Sequence, residues 1–148
     1  MEEGLEVLSE KPIDLKKDEF FNMLLKNPEG IELKIDGVGK TFKSKWANDK
    51  GVKPYVCFID YSFIIDSVKY SVGLSYNLGA SRSSEVFIIS SGMNIFKILS
   101  VFSDISKAEE IRVTKEFIDK SLTGKKFLAK IGAGYNNGLV INPVKILD

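Results

Sequence analysis

Residues 30–78, GIELKIDGVGKTFKSKWANDKGVKPYVCFIDYSFIIDSVKYSVGLSYNL, decide the fold of this chain. Apolar and polar residues alternate along much of the segment, which is the pattern of strands that bury one face. The alternation is clearest between Ser67 and Leu78, where every second residue is apolar. We predict three long strands joined by short turns, and we expect the rest of the chain to close this sheet into a small barrel.

The first strand is interrupted by Gly37 and Gly39, after which alternation resumes through Phe42 and Trp46. Glycine inside a strand commonly marks a bulge or a sharp bend. Two interpretations are open. The segment is either one long strand bent at the glycines, which can serve two sheets at once, or a hairpin with Asp36-Gly37 at its tip.

The second predicted strand runs from Tyr55 to Tyr61, and the third begins near Ile64. Asp60 and Asp66 are expected to bracket the turn between these two strands. Both could serve as ligands, but aspartate is also an ordinary turn residue.

Composition excludes several kinds of site. The chain has 148 residues, no histidine and one cysteine, Cys57. Histidine general bases, Ser-His and Cys-His dyads and histidine metal ligands are therefore excluded, and one thiol cannot build a zinc site within one chain. We predict no catalytic residue, no metal, no cofactor and no enzymatic activity. Cys57 is expected to fill core space.

Length and hydropathy predict a single domain, with residues 1–12 as a poorly ordered lead-in. No apolar run approaches the ~18 residues that a membrane span needs, and no signal-peptide pattern opens the chain. A lone thiol fits a reducing compartment. We therefore expect a cytoplasmic protein without a membrane partner.

The net charge of +1 is unevenly distributed. Residues 1–19 hold seven acidic residues and three lysines, whereas residues 40–53 hold five lysines and only one acid, Asp49. A basic region behind an acidic leader suits a protein that binds a polyanion. The simpler alternative is a solvated strand, which is what most lysine runs are.

Three helices are predicted from apolar spacing and caps. The first begins at Asp14, buries Phe20, Phe21, Leu24 and Leu25, and stops at Asn27-Pro28. The second follows a brief strand at Val86–Ile89 and is capped by Ser90 or Ser91. The third runs from Lys115 to Leu122, with Thr114 as its cap, Phe117, Ile118 and Leu122 facing inward, and Gly124 at its end. Residues 103–113 show no clear pattern.

Two strands finish the chain. Phe127, Ala129 and Ile131 alternate with polar or smaller neighbours, and Asn136-Asn137-Gly138 is a strong signal for a tight hairpin turn. The last strand covers Leu139 to Leu147. Pro143 lacks a backbone N–H, so it predicts an edge or a bulge within that strand.

The order of elements is an N-terminal helix, three strands, a helical region and two strands. A mainly β fold with helices in this order is the plan of the oligonucleotide/oligosaccharide-binding (OB) barrel. The run Ser90-Ser91-Gly92 into a helix, and the run from Thr114 through Leu122-Thr123-Gly124-Lys125-Lys126-Phe127 into a strand, resemble small viral and archaeal single-stranded-DNA-binding proteins of this fold. The resemblance covers about residues 30–148, although the helical region is longer than the single helix of the plainest members.

This resemblance implies a single-strand-binding groove across the second and third strands, and a role in viral or archaeal DNA replication. Such a groove needs cations for phosphates and aromatic rings on which bases stack. Phe58 and Lys69 lie opposite the apolar sets of their strands, whereas Trp46 and Tyr55 flank the loop between strands one and two. Taken singly, each ring is better explained by core packing. The predicted nucleic-acid-binding residues are Lys40, Lys43, Lys45, Trp46, Lys53, Tyr55, Phe58, Lys69 and Arg82.

Three rival hypotheses are open. Residues 37–41 imitate the end of a phosphate-binding P-loop, but Lys34 stands where the motif requires glycine. Glu32 and Lys34 could be half of a metal-dependent nuclease site. The chief alternative is a protein-interaction module, in which a sheet edge or the N-terminal helix binds a partner or a second copy.

Overall fold

A computed structural model describes residues 4–6, 8–47, 51–79, 84–134 and 138–147. The protein is mainly β, with 45% of the described residues in strands and 20% in helices. The elements are β1 (Ile13–Asp14), α1 (Lys17–Lys26), β2 (Ile31–Val38), β3 (Phe42–Lys43), β4 (Tyr55–Ile65), β5 (Val68–Asn77), β6 (Val86–Ser90), α2 (Asn94–Phe102), β7 (Glu110–Thr114), α3 (Lys115–Leu122), β8 (Lys126–Ala133) and β9 (Leu139–Leu147).

One mixed sheet of seven strands forms the body of the fold. Its order is β1-β5-β4-β2-β8-β9, with β3 also paired to β4, and only the β1–β5 pair is parallel. The hydrogen-bond ladder between the described residues does not close into a ring. β5 and the outer strand β9 nevertheless border the same cavity of about 50 Å³, which is lined by Leu74 and Tyr76 of β5, Leu139 and Ile141 of β9, and Phe21 of α1. The sheet therefore curls enough for β5, β9 and α1 to line one cavity.

The first predicted strand is bent, so the hairpin alternative at Asp36-Gly37 is wrong. The pairing of β2 with β4 shifts register between Ile35 and Gly37, which marks a bulge. The Gly39 N–H donates to the Phe58 carbonyl at 2.8 Å, and β3 then pairs with the next part of β4. Both segments therefore run along one partner strand, as a strand bent at glycines does.

The turn between the second and third strands lies later than predicted. Asp66 and Ser67 form it, with φ of 50° and 67°. Positive φ at both central residues fits the right-handed twist of a two-residue hairpin, and aspartate tolerates that conformation. Asp60 does not bracket the turn, because it lies within β4 opposite Gly73.

The core lies between the inner face of the sheet and the three helices. Cys57 is fully buried there, as predicted, and burial raises the pKa of its thiol from 9.0 to about 11. The hydroxyls of Tyr61 and Tyr76 lie 2.6 Å apart and are hydrogen-bonded, so neither buried phenol lacks a partner. Burial also raises the pKa of both phenols.

The predicted beginning of the first helix is wrong. Asp14 lies in β1, where its carboxylate accepts a hydrogen bond from the Ser71 hydroxyl. The helix begins after Lys16, whose backbone N–H donates to the Glu19 carboxylate at 2.9 Å. Asp14 thus pairs with β5 as part of β1 and is not available to cap the helix. Leu25, predicted to be inward, is exposed.

The second helix also differs from its prediction, because neither Ser90 nor Ser91 caps it. Ser90 ends β6, and Met93 occupies the N-cap position without a side-chain cap. β7, in the region that the sequence left unassigned, pairs with β6 as a separate two-stranded sheet.

The third helix is capped as predicted, by Thr114, whose hydroxyl accepts from the Phe117 N–H at 3.1 Å. Gly124 follows the helix with φ of +81°, also as predicted. Phe117 was predicted to face inward, but its side chain is exposed.

The two last strands pair as expected. Pro143 lies on an outer strand next to a register shift between Leu128 and Ala129, so it marks both an edge and a bulge. The predicted turn residues Asn136 and Asn137 lie outside the described residues. In the lead-in, residues 4–6 and 8–12 belong to no helix or strand. No helix among the described residues combines the length and the apolarity needed to cross a membrane.

Candidate nucleic-acid interface

The face of the main sheet that points away from the helices is called here the outer face. In the β4–β5 pair, the inner positions include Cys57, Ile59 and Tyr61, which are fully buried. The intervening positions point outward, and the register sets Phe58 beside Ser75 and Asp60 beside Gly73. Strand alternation therefore decides which predicted residues can reach a ligand on this face.

Three aromatic side chains gather on the outer face and form what we call the aromatic cluster: Phe42, Trp46 and Phe58. The rings of Phe42 and Phe58 are stacked, with centroids 6.0 Å apart and an interplanar angle of 19°. β3 makes this pair possible, because it places Phe42 opposite Val56 and hence on the same face as Phe58.

Trp46 follows β3 and is 81% exposed, with its backbone N–H bonded to the Ser44 hydroxyl. It joins Phe42 and Phe58 around a concavity of about 520 Å³, whose lining also includes Lys45 and Asn77. Large apolar side chains grouped at the surface of a monomer commonly mark a binding site. The cluster therefore offers exposed rings, a cation and polar side chains within one open concavity.

The other predicted site residues do not all join this cluster. Tyr55 points to the opposite face, where its ring meets Phe87 edge-on at 5.8 Å, and the Lys43 ammonium lies 5.7 Å from the Tyr55 ring centre. Lys40 and Lys53 are exposed but line none of the described concavities. Arg82 lies outside the described residues.

Lys69 lies on the outer face, but far from the aromatic cluster. It is six residues from Ser75 along β5, which is about 20 Å at the usual rise of a strand. It lines a different concavity, of about 380 Å³, together with Lys34 and Lys126.

Phe42, Lys34 and Lys126 were not among the predicted nucleic-acid-binding residues. A signal for Phe42 was present, since it alternates in phase with Trp46 after the glycine bend. No comparable signal marked the two lysines, because their neighbours on the sheet come from distant parts of the chain.

Carboxylates occupy the middle of the outer face. Asp36 accepts a hydrogen bond from the Ser62 hydroxyl at 3.0 Å, and Asp14 accepts from Ser71. The Asp60 carboxylate lies over Gly73, with an oxygen 3.0 Å from the point where a Cβ on that glycine would be. Phosphate groups are therefore favoured at the two ends of this face and disfavoured at its centre.

The described residues assemble neither of the two rival sites, the P-loop and the metal-dependent nuclease site. Lys40 and Thr41 are followed by β3, whereas a P-loop requires a helix there, so the P-loop hypothesis is wrong. Glu32 lies on an exposed strand position, and the described part of the chain holds no group of three or more carboxylate or thiol residues that could bind a metal.

Comparisons of the chain with protein-family models, with curated proteins and with solved structures found no match. The geometry of the outer face is therefore the basis for the function of this protein proposed below.

Proposed function

We propose that this protein binds single-stranded nucleic acid, most simply single-stranded DNA, on its outer face, without preference for sequence and without catalysis. The observation that supports this most strongly is the stacked pair of Phe42 and Phe58 beside the exposed ring of Trp46. Every base has an aromatic face, so rings of this kind hold bases of any sequence. Roles in DNA replication, in a virus or an archaeon, and a cytoplasmic location are parts of the same proposal.

Charge supports the same proposal. Lys45 lines the concavity beside the rings, where it can meet a phosphate next to a stacked base. The seven acids and three lysines of residues 1–19 give that segment a charge of −4. Because the net charge of the chain is +1, the remaining residues together carry +5. A cationic body of this kind attracts a polyanion from a distance.

We further propose that the sheet is a partly open barrel of the OB type. β2 pairs with both β4 and β8, β4 pairs with β5, and β8 pairs with β9. Closing the ring would require only contact between β5 and β9, which border one cavity. The OB barrel is itself a five-stranded, partly open design. Helices α2 and α3 then form the enlarged insert between the third and fourth barrel strands.

The proposal is tested by fluorescence anisotropy of labelled oligo-dT across a range of salt concentrations. The logarithm of affinity should fall linearly with the logarithm of salt, with a slope of about −0.7 for each phosphate contacted. Lys45→Glu should weaken binding and flatten the slope, more than Lys43→Glu, because only Lys45 lines the aromatic concavity. Lys107→Glu, at an exposed position outside the main sheet, is the matched control. Absence of binding at low salt would refute the proposal.

A protein-interaction module is the second candidate, and one feature favours it. β9 is the last strand of the sheet, and the exposed apolar side chains of Val144 and Ile146 lie on it. An unpaired edge can accept a strand from a partner or from a second copy of the chain. Sedimentation of the protein at several concentrations detects self-association. Loss of that association in Val144→Lys, without any oligonucleotide binding, would favour this candidate.

A further inference from the structure

The second concavity of the outer face is lined by Lys34, Lys69 and Lys126, together with Ile64. We call its three cations the lysine cluster. They come from three different strands: the register sets Lys34 opposite Lys126 on one side and opposite Ser62 on the other, while Lys69 lies opposite Ile64. Distant parts of the sequence thus bring three positive charges to one recess.

None of these three lysines forms an ion pair with a described residue. Glu32 lines the same concavity without a salt bridge to any of them. Like charges gathered in one recess repel each other, and an anionic ligand would relieve that repulsion. The side chain of Ile64 is exposed and adds an apolar surface to the recess.

We infer that the lysine cluster is a second phosphate-binding subsite, which holds the backbone of a single strand whose bases stack about 20 Å away on the aromatic cluster. The inference rests on the proposed function. The distance follows from the six residues between Lys69 and Ser75 on β5. At about 3.4 Å per stacked nucleotide, it corresponds to about six nucleotides.

The centre of the face constrains the path of the strand. The carboxylates of Asp14, Asp36 and Asp60 lie between the two subsites, and the first two accept hydrogen bonds from serine hydroxyls. Phosphates would be repelled there, whereas base edges that carry N–H groups can donate to carboxylates. The strand therefore places phosphates near Lys45 and on the lysine cluster, stacks bases on the aromatic cluster, and turns base edges toward the carboxylates in between.

The test compares oligo-dT of about three nucleotides, which is too short to connect the subsites, with oligo-dT of about twelve, which lies within the usual site sizes of about 4–16. The variant is Lys34→Glu with Lys126→Glu. Its control is Lys107→Glu with Arg112→Glu, which changes the charge equally at exposed positions outside the main sheet. Binding is read by tryptophan fluorescence for the short ligand and by anisotropy across salt for the long one.

We expect the Lys34→Glu, Lys126→Glu variant to bind the long ligand about 2- to 30-fold more weakly, from the loss of two exposed charge pairs. Its salt slope should be flatter by about 1.4. Its affinity for the short ligand should stay within about twofold of the unmodified protein, and the control should bind both ligands normally. Equal weakening for both lengths, or none for the long ligand, would overturn the second subsite while leaving nucleic-acid binding intact. Failure of the unmodified protein to bind either ligand would overturn both proposals.

Discussion

Removal of the Phe58 ring should weaken binding of single-stranded DNA without unfolding the protein. Phe58 stacks on Phe42 with centroids 6.0 Å apart and is 43% exposed. Stacking of one base on an aromatic side chain contributes about 1–3 kcal/mol, so Phe58→Ala should raise Kd by about 5- to 150-fold. A fully buried Phe→Ala change costs about 3–5 kcal/mol of stability, and the exposure of Phe58 reduces that cost to about half.

Anisotropy of labelled oligo-dT measures the change in affinity, and urea unfolding measures the change in stability. Phe117→Ala is the matched control, because Phe117 is 40% exposed but lies on α3, away from the outer face. Its Kd should equal that of the unmodified protein. The reasoning is refuted if Phe58→Ala binds within twofold of the unmodified protein, or if Phe117→Ala weakens binding to the same extent.

Three further predictions concern electrostatics and stability. Asp60→Asn removes a carboxylate from the outer face, so anisotropy should show about 2- to 3-fold tighter binding of oligo-dT at low salt and little change at high salt. Weaker binding would contradict repulsion between Asp60 and the phosphates. Burial raises the pKa of the Cys57 thiol from 9.0 to about 11, so between about pH 9 and 11 the unfolded state releases this proton and the folded state keeps it. Urea unfolding should therefore show the free energy of unfolding falling over this pH range, and in Cys57→Ala it should fall by about 1–2 kcal/mol less. An equal fall in the two proteins would contradict the assignment. Thr114→Ala removes the α3 cap and should lower the free energy of unfolding by about 1 kcal/mol in the same assay, whereas no change would mean that water replaces the cap.

Alternation along single strands was enough to predict much of the fold. It identified the strand around Val68, and it correctly placed Phe58 and Lys69 opposite the buried sets of their strands. An apolar, β-branched run identified the strand at Tyr55, and a hairpin signal identified the strand at Leu139. Of the three predicted helix caps, only the one at Thr114 is confirmed. The hydroxyl of Thr114 caps a helix, as its position predicted.

The errors arose where a tertiary contact overrides a local preference. Asp14 has a good side chain for a helix cap, but the pairing of β1 with β5 gives its carboxylate to Ser71 instead. Residues 110–114 form β7, and Ile111 and Val113 alternate there with polar neighbours, but a run this short was not recognised as a strand without its partner β6.

The site was harder to predict than the fold, because its residues meet across strands. Phe42 stacks on Phe58 only through the register of β3 on β4, and Lys34 meets Lys126 only through the register of β2 on β8. Sequence spacing carries no information about either register. The same limit explains Tyr55, which flanks the predicted loop but packs against Phe87.

The fluorescence of Trp46 tests the central claim most directly, because it is the only tryptophan of the chain and lies in the aromatic cluster. Unlabelled oligo-dT should quench its emission in a saturable manner. The midpoint should match the Kd from anisotropy and should shift to higher concentration in Phe58→Ala. Emission that stays constant while anisotropy reports binding would place the ligand elsewhere and would contradict this account of the outer face.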